Sequence, residues 1–116
     1  MKPKLKLAKV AESLGWTDCY MNNDNGPVFG KPPVGCQYAP IDLHGFAEVK
    51  YDSSLDWMHE AEKGLSMKQL VTYEIRLNKM NLRNTNYGYV ECVVNATAPQ
   101  RFNAYGITRG LWKEGE

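Results

Sequence analysis

The sequence has few cysteines, no long apolar run and almost no excess of charge. Its 116 residues include 3 cysteines, an odd and sparse set that argues against a disulfide framework. No apolar stretch approaches the roughly 20 residues that a membrane-spanning helix needs. The basic N-terminal stretch also lacks the continuous apolar core of a signal peptide. These absences predict a cytoplasmic protein that does not associate with a membrane.

Charge is nearly balanced, with 14 basic and 13 acidic residues and a net charge of +1. Proteins that bind nucleic acid through its phosphates usually have a clear basic excess, so nucleic acid is disfavoured as a partner. Hydrophobic residues make up 43% of the chain, enough to build a core without disulfides or metals. The length fits a single domain over residues 1–116.

Motifs of common catalytic sites are also missing. The sequence has no Walker motif, no dinucleotide-binding glycine motif and no G-x-S-x-G elbow. The stretch HEAEK at residues 59–63 begins like a zincin helix, but Lys63 stands where the second histidine ligand belongs. We therefore predict no enzyme activity, no cofactor and no metal.

A few residues support catalysis or metal binding as a weaker alternative prediction. Cys36 and His44 are candidates for a thiol–imidazole pair, although free cysteines are usually small core residues. Asp52 and Asp56 are candidate paired carboxylates, but acids at the start of a helix explain them more simply. Cys19, Cys36, His44 and His59 are the candidate metal ligands, although their spacing lacks a typical ligand pair. Glu60 and Glu62 are a second candidate pair of carboxylates.

Two segments in the first half of the chain carry helical patterns. Residues 5–15 place their apolar side chains on one face at a spacing of 3.6 residues. In residues 51–65, YDSSLDWMHEAEKGL, Ser53 is the predicted N-cap and Asp56 the acid of a capping box. Gly64 is predicted to end this second helix.

The third predicted helix covers residues 97–114. Thr97 and Gln100 match a capping box, with a proline in the first turn. Gly106 and Gly110 lie within this segment and each costs roughly 1 kcal/mol relative to alanine in a helix. A close backbone contact with the sheet or a neighbouring helix would explain them, or the helix ends near Gly110.

The predicted sheet is built mainly from a hairpin. Residues 70–78, LVTYEIRLN, alternate between apolar and polar, the pattern of a strand with one buried face. Residues 83–86 resemble a turn, and residues 87–96 form a second β-rich run. The predicted fold class is therefore α+β: a small antiparallel sheet, made of this hairpin and one or two short strands, packed with three helices.

A long loop rich in proline, glycine and asparagine covers residues 22–45, with short strands expected near residues 18–21 and 45–50. Long loops inside compact domains are often functional, so we predict a partner-binding surface here. Its candidate residues are Tyr20, Asn22, Asn23, Asp24, Phe29 and Tyr38.

The last predicted helix carries a stripe of cationic and aromatic residues. Arg101, Tyr105 and Arg109 recur at intervals of four, with Trp112 beside them. Two guanidinium groups beside an aromatic ring suit an anionic, stackable ligand such as a nucleotide. The alternative interpretation is that Tyr105 is half buried and the arginine stems cover its rim.

Three quoted stretches, LAKVAESLGW, YDSSLDWMHEAEKGL and ATAPQRFNAYGITRGLW, together resemble the small phage "ABA sandwich" domain proteins. The resemblance covers about residues 5–16 and 50–112. It implies helices packed around a small sheet and a phage or prophage accessory protein, without catalytic residues to carry over. Gly106 and Gly110 depart from the alanine-rich last helix of that family.

The function expected from this resemblance is binding to a host protein, with inhibition of a defence or regulatory factor. One alternative is a protein that binds a nucleotide or another small anion, as a sponge or a weak phosphohydrolase. A minor structural phage protein is a second alternative.

Overall fold

The structure, a computed structural model, describes residues 2–21, 26–36, 39–82 and 96–115. Their secondary structure consists, in chain order, of α1 (Pro3–Ser13), β1 (Thr17–Met21), β2 (Val28–Lys31), β3 (Ala47–Glu48), α2 (Leu55–Glu62), α3 (Met67–Leu82) and α4 (Ala98–Thr108). The fold is α+β with an antiparallel sheet, which confirms the predicted class. None of the helices in these ranges is long and apolar enough to cross a bilayer.

The sheet has the strand order β1-β2-β3, and both neighbouring pairs are antiparallel. Tyr20 pairs with Phe29, and Phe29 pairs with Glu48 across the next ladder. The pairing of β1 is irregular near its start, where Asp18 has a φ of 53°. β2 lies within the loop predicted over residues 22–45, so that part of the loop prediction is wrong. The apolar pattern of a four-residue strand was too short to stand out.

The strand predicted over residues 70–78 is also wrong, because α3 contains the whole segment. Tyr73 and Leu77 are buried one helical turn apart, while Val71 and Ile75, which alternation would bury, are exposed. The described stretches consequently contain four helices instead of three, and the sheet does not use residues 70–78. The predicted turn at 83–86 and residues 87–95 of the partner strand lie outside the described residues.

A capping box that the sequence analysis missed starts α3. The Ser66 N–H donates to Gln69 Oε1 at 3.0 Å, and the Gln69 N–H donates to Ser66 Oγ at 3.1 Å. The two side chains thus satisfy two N–H groups that have no partner within the helix. The serine and glutamine three residues apart were a readable helix signal just before the alternating segment.

The first two predicted helices are present with small shifts at their ends. α1 buries Leu7, Val10 and Ala11, as its periodicity predicts. In α2 the N-cap is Ser54, whose Oγ accepts from the Trp57 N–H at 3.4 Å, so the assignment of Ser53 is wrong by one residue. Ser53 Oγ instead donates to a backbone carbonyl three residues earlier, at 3.5 Å.

α4 begins with the predicted capping box. It ends near Gly110, as the shorter of the two predicted helices does, and does not continue to residue 114. The Thr97 N–H donates to Gln100 Oε1 at 2.9 Å, and the Gln100 N–H donates to Thr97 Oγ1 at 3.3 Å. The helix ends at Thr108, two residues before Gly110, whose φ of 73° favours glycine. The close contact expected at Gly106 exists, but with the Trp112 indole and not with the sheet or another helix.

Three aromatic residues at the centre of the core connect α2 with the segment before it and with the segment between α1 and β1. Trp16 Nε1 donates to Tyr51 Oη at 2.9 Å, and the Tyr51 ring meets Trp57 edge-on with centroids 5.1 Å apart. All three side chains are at most 5% exposed. Burial of an aromatic side chain contributes roughly 1.5–3 kcal/mol, so this cluster fixes the sheet side of the molecule against the helices.

Candidate functional site

An aromatic group lies across the strands of the sheet. Tyr20 stacks on Phe29 with ring centroids 5.5 Å apart, because the register places them opposite each other on antiparallel strands. Phe46 meets the Tyr20 ring edge-on at 5.4 Å. Lys31 Nζ lies 5.3 Å from the Phe46 ring centroid, a cation–π distance. Tyr20 remains 42% exposed, so the group forms part of the molecular surface.

A hydrogen-bonded turn leads directly into Phe46. The Asp42 carboxylate accepts from the His44 N–H at 2.8 Å and from the Phe46 N–H at 3.0 Å. The Asp42 N–H donates to the Phe46 carbonyl at 2.8 Å, which closes the turn. The backbone N–H of Phe46, followed by that of His44, lowers the pKa of Asp42 below its usual value. The turn is therefore held in one conformation by its own side chain.

Two large aliphatic residues of this turn region face solvent. Leu43 is fully exposed and Ile41 is 62% exposed. Together with Tyr20, Phe29 and Phe46 they make what we call the aromatic-turn surface. An apolar surface next to a preformed turn is typical of a site of macromolecular recognition.

Only part of this surface was predicted from the sequence. Of the predicted loop residues, Tyr20 and Phe29 are in contact, whereas Asn22, Asn23, Asp24 and Tyr38 lie outside the described residues. Ile41, Leu43 and Phe46 were not among the predicted residues. The readable signal was the aspartate of Asp42-Leu-His-Gly, a residue order typical of a side-chain-stabilised turn.

The predicted anion-binding stripe on α4 faces mostly inward. Arg101 is 7% exposed, and its Nη1 donates to both oxygens of Glu62 at 3.1 and 3.3 Å. Arg101 Nε donates to the Ala96 carbonyl at 3.2 Å. Tyr105 is fully buried, and burial raises the pKa of its hydroxyl although Arg109 opposes the shift. Arg109 Nη1 donates to Tyr105 Oη at 3.3 Å, which matches the alternative in which arginine covers a buried tyrosine.

The Cys19 thiol and the carboxylates of Glu60 and Glu62, which were candidates for catalysis or metal binding, lie in different environments. Burial, followed by the charges of Glu12 and Asp18, raises the pKa of the Cys19 thiol and so disfavours the reactive thiolate. Glu60 pairs with Lys63 at 2.8 Å on the surface, away from the interior pair of Glu62. Within the described ranges no three His, Cys, Asp or Glu side chains are grouped so that they could hold a metal ion.

Burial also raises the pKa of Asp52, which Lys4 partly offsets. The Asp56 carboxylate lies in the first turn of α2, where it complements the helix dipole as the sequence predicted. Asp56 therefore has a local structural role at the start of α2.

No protein-family model matches the chain, and no curated protein or solved structure matches it either.

Proposed function

We propose that this protein acts by binding a protein partner through the aromatic-turn surface, without catalysing a reaction. The observation that supports this most strongly is Leu43, which is fully exposed in a turn fixed by the Asp42 carboxylate. Burial of an exposed leucine or isoleucine by a partner contributes roughly 1.5–3 kcal/mol. The ordered turn reduces the entropy that binding would otherwise lose.

The chemistry around this surface supports the same proposal. Lys31 pairs with Asp18 at 3.3 Å and also lies over Phe46, so charged groups border the aromatic centre. Protein interfaces commonly combine an apolar, aromatic centre with a polar rim. Tyrosine is enriched among the residues that dominate binding energy, which makes Tyr20 the expected anchor beside Leu43.

The resemblance to small phage proteins supports a particular biological setting for this binding. In that setting the chain is a phage- or prophage-encoded accessory protein in the host cytoplasm. Its partner is a host defence or regulatory protein, which it inhibits by occupying a surface. The near-balanced charge of +1 fits a protein partner better than nucleic acid.

Affinity capture from host-cell lysate with three forms of the chain tests the proposal. The wild type and the control Met67→Asp/Val71→Asp, which changes exposed apolar residues on α3, should retain the same partner. The variant Ile41→Asp/Leu43→Asp should lose it, because the carboxylates cannot be desolvated in an apolar interface.

The captured partner is then purified and titrated calorimetrically with each form. The aromatic-turn variant should bind at least about tenfold more weakly, equivalent to roughly 1.4 kcal/mol. Equal affinity of all three forms for the partner would show that the aromatic-turn surface is not the binding site. Absence of any saturable partner, or turnover of a substrate by the wild type, contradicts a binding function.

A further inference from the structure

A pocket of about 590 Å³ lies between α1, α3 and the segment that follows α4. Its volume falls within the roughly 300–1,000 Å³ typical of small-molecule sites. It shares no lining residue with the aromatic-turn surface, so a ligand here is independent of the protein partner proposed above.

Positive charge is concentrated in this pocket. Lys9 from α1, Arg76 from α3 and Lys113 line it, and Glu114 is the one acidic residue among the described lining residues. The whole chain carries a net charge of only +1, so the pocket is far more basic than the protein as a whole. In the part of the chain that the structure describes, Glu114 pairs with Arg76, whereas Lys9 and Lys113 form no ion pair.

Arg76 has unused hydrogen-bonding capacity. Its Nη1 donates to Glu114 Oε2 at 3.3 Å, but its Nε–H is shielded from solvent and has no acceptor among the described residues. A guanidinium group presents paired N–H donors that match the two oxygens of a carboxylate or phosphate. Glu114 is 75% exposed and its pairing with Arg76 is long, so this carboxylate is readily replaced.

One wall of the pocket is apolar and firmly held. Ile107, Leu111 and Trp112 contribute to it. The Trp112 Nε1 donates to Asn103 Oδ1 at 3.2 Å, and its ring packs on Phe102 with centroids 5.4 Å apart. A rigid apolar wall opposite cationic groups suits a ligand with a charged head and an apolar body.

We propose that this pocket binds a small organic anion, a carboxylate or phosphate ester with an aromatic or aliphatic body. The acidic head displaces Glu114 from Arg76 and supplies the acceptor that the Nε–H lacks, while Lys9 and Lys113 add attraction. The apolar body lies along Leu111 and Trp112. Glu114 acts as an internal competitor for the same guanidinium.

Titrations followed by NMR or calorimetry test this with phenyl phosphate and phenylacetate as probes, which separate the two possible acidic heads. Neutral phenylethanol and inorganic phosphate are the comparison ligands, because each lacks one half of the proposed chemistry. At least one organic anion should saturate a single site and bind about tenfold or more tightly than both comparison ligands. The proposal fails if neither organic anion binds or if either comparison ligand binds as tightly.

Variants give the second arm of the test. Arg76→Gln should weaken binding about tenfold or more, whereas Glu114→Gln should strengthen it about threefold because the competitor is gone. Glu114 is exposed, so its replacement does not threaten folding. Arg109→Gln removes an arginine outside the pocket lining and should leave affinity unchanged. The proposed site is wrong if Glu114→Gln binds the organic anion more weakly than the wild type. It is also wrong if Arg76→Gln and Arg109→Gln lose the same amount of affinity.

Discussion

Arg101 of α4 and Glu62 at the end of α2 form an ion pair inside the protein, with N–O distances of 3.1 and 3.3 Å. The same carboxylate accepts from Tyr73 Oη of α3 at 3.0 Å. The Arg101 and Glu62 side chains are only 8% and 18% exposed, so little solvent screens the pair. Three helices are thereby joined at one carboxylate, and Arg101 takes part in this interior contact.

Replacing Arg101 with methionine should destabilise the protein strongly. It leaves the Glu62 charge largely buried with Tyr73 as its one remaining partner among the described residues, a loss typically worth about 3–5 kcal/mol. Urea unfolding followed by circular dichroism measures the change. The double replacement Arg101→Met/Glu62→Leu should recover much of the loss, because no unpaired charge remains.

The surface pair Lys63–Glu60 provides the control for that experiment. Its members are 72% and 43% exposed. Exposed pairs typically contribute about 0–1 kcal/mol, so Glu60→Gln should change stability little. An Arg101→Met variant no less stable than Glu60→Gln would show that the interior pair does not hold the helices together.

Tyr73 makes stability sensitive to alkaline pH. Burial, followed by the negative charge of Glu62, raises its pKa far above the usual value of 10.0. The unfolded chain therefore loses this proton first, so stability is retained below pH 10 and falls as the pH rises above it. Urea midpoints measured across this range should decline with pH, and Tyr73→Phe should reduce the slope. A midpoint that stays constant for the wild type contradicts the buried state of this hydroxyl.

Elements with a local sequence signal were predictable, whereas the segment in which two periods coincide was not. Thr97 and Gln100 bind each other within one helical turn, so their spacing sufficed to place the start of α4. In residues 70–78 the spacing of the apolar residues fits both a strand, with a period of two residues, and a helix, with a period of 3.6 residues. The capping box of Ser66 and Gln69 is the local sequence signal that favours the helix.

The role of Arg101 was not predictable from sequence for a different reason. Glu62 lies 39 positions away in the chain, and nothing in the sequence indicates that α2 and α4 bring the two together. Helical spacing identified the stripe on α4 but not which way it faces. The same holds for Lys9, Arg76 and Lys113, which come together only through the packing of separate elements.

Gly106→Ala should destabilise the protein although alanine favours helices. An added Cβ would lie 1.9 Å from Cη2 of Trp112, so the indole must move. Overpacking typically costs about 1–3 kcal/mol. Because three Trp112 atoms would lie within 2.4 Å of the new Cβ, we expect the upper part of that range, which exceeds the roughly 1 kcal/mol that alanine gains over glycine in a helix. Thermal unfolding and tryptophan fluorescence together should show a lower Tm and an altered Trp112 environment. Gly64→Ala is the matched control, because a Cβ there makes only an ordinary contact at 3.5 Å.

Asp42 should keep the turn of the aromatic-turn surface ordered until strongly acidic pH. The Phe46 and His44 N–H groups lower its pKa below 3.8, so the stabilising hydrogen bonds are fully present above that pH. They are lost as the pH falls through the lowered pKa of the folded state. The amide shifts of His44 and Phe46 should therefore change together with a midpoint below 3.8.

Asp42→Ala should abolish this shared acid transition and weaken partner binding while leaving the overall fold intact, because the residue is exposed. Asp42→Asn retains an acceptor oxygen without the charge and should fall between the alanine variant and the wild type in affinity. If Asp42→Ala binds the partner as tightly as the wild type, then Leu43 does not depend on a preformed turn. In that case, the recognition proposed for this surface must rest on Tyr20 and its aromatic neighbours alone.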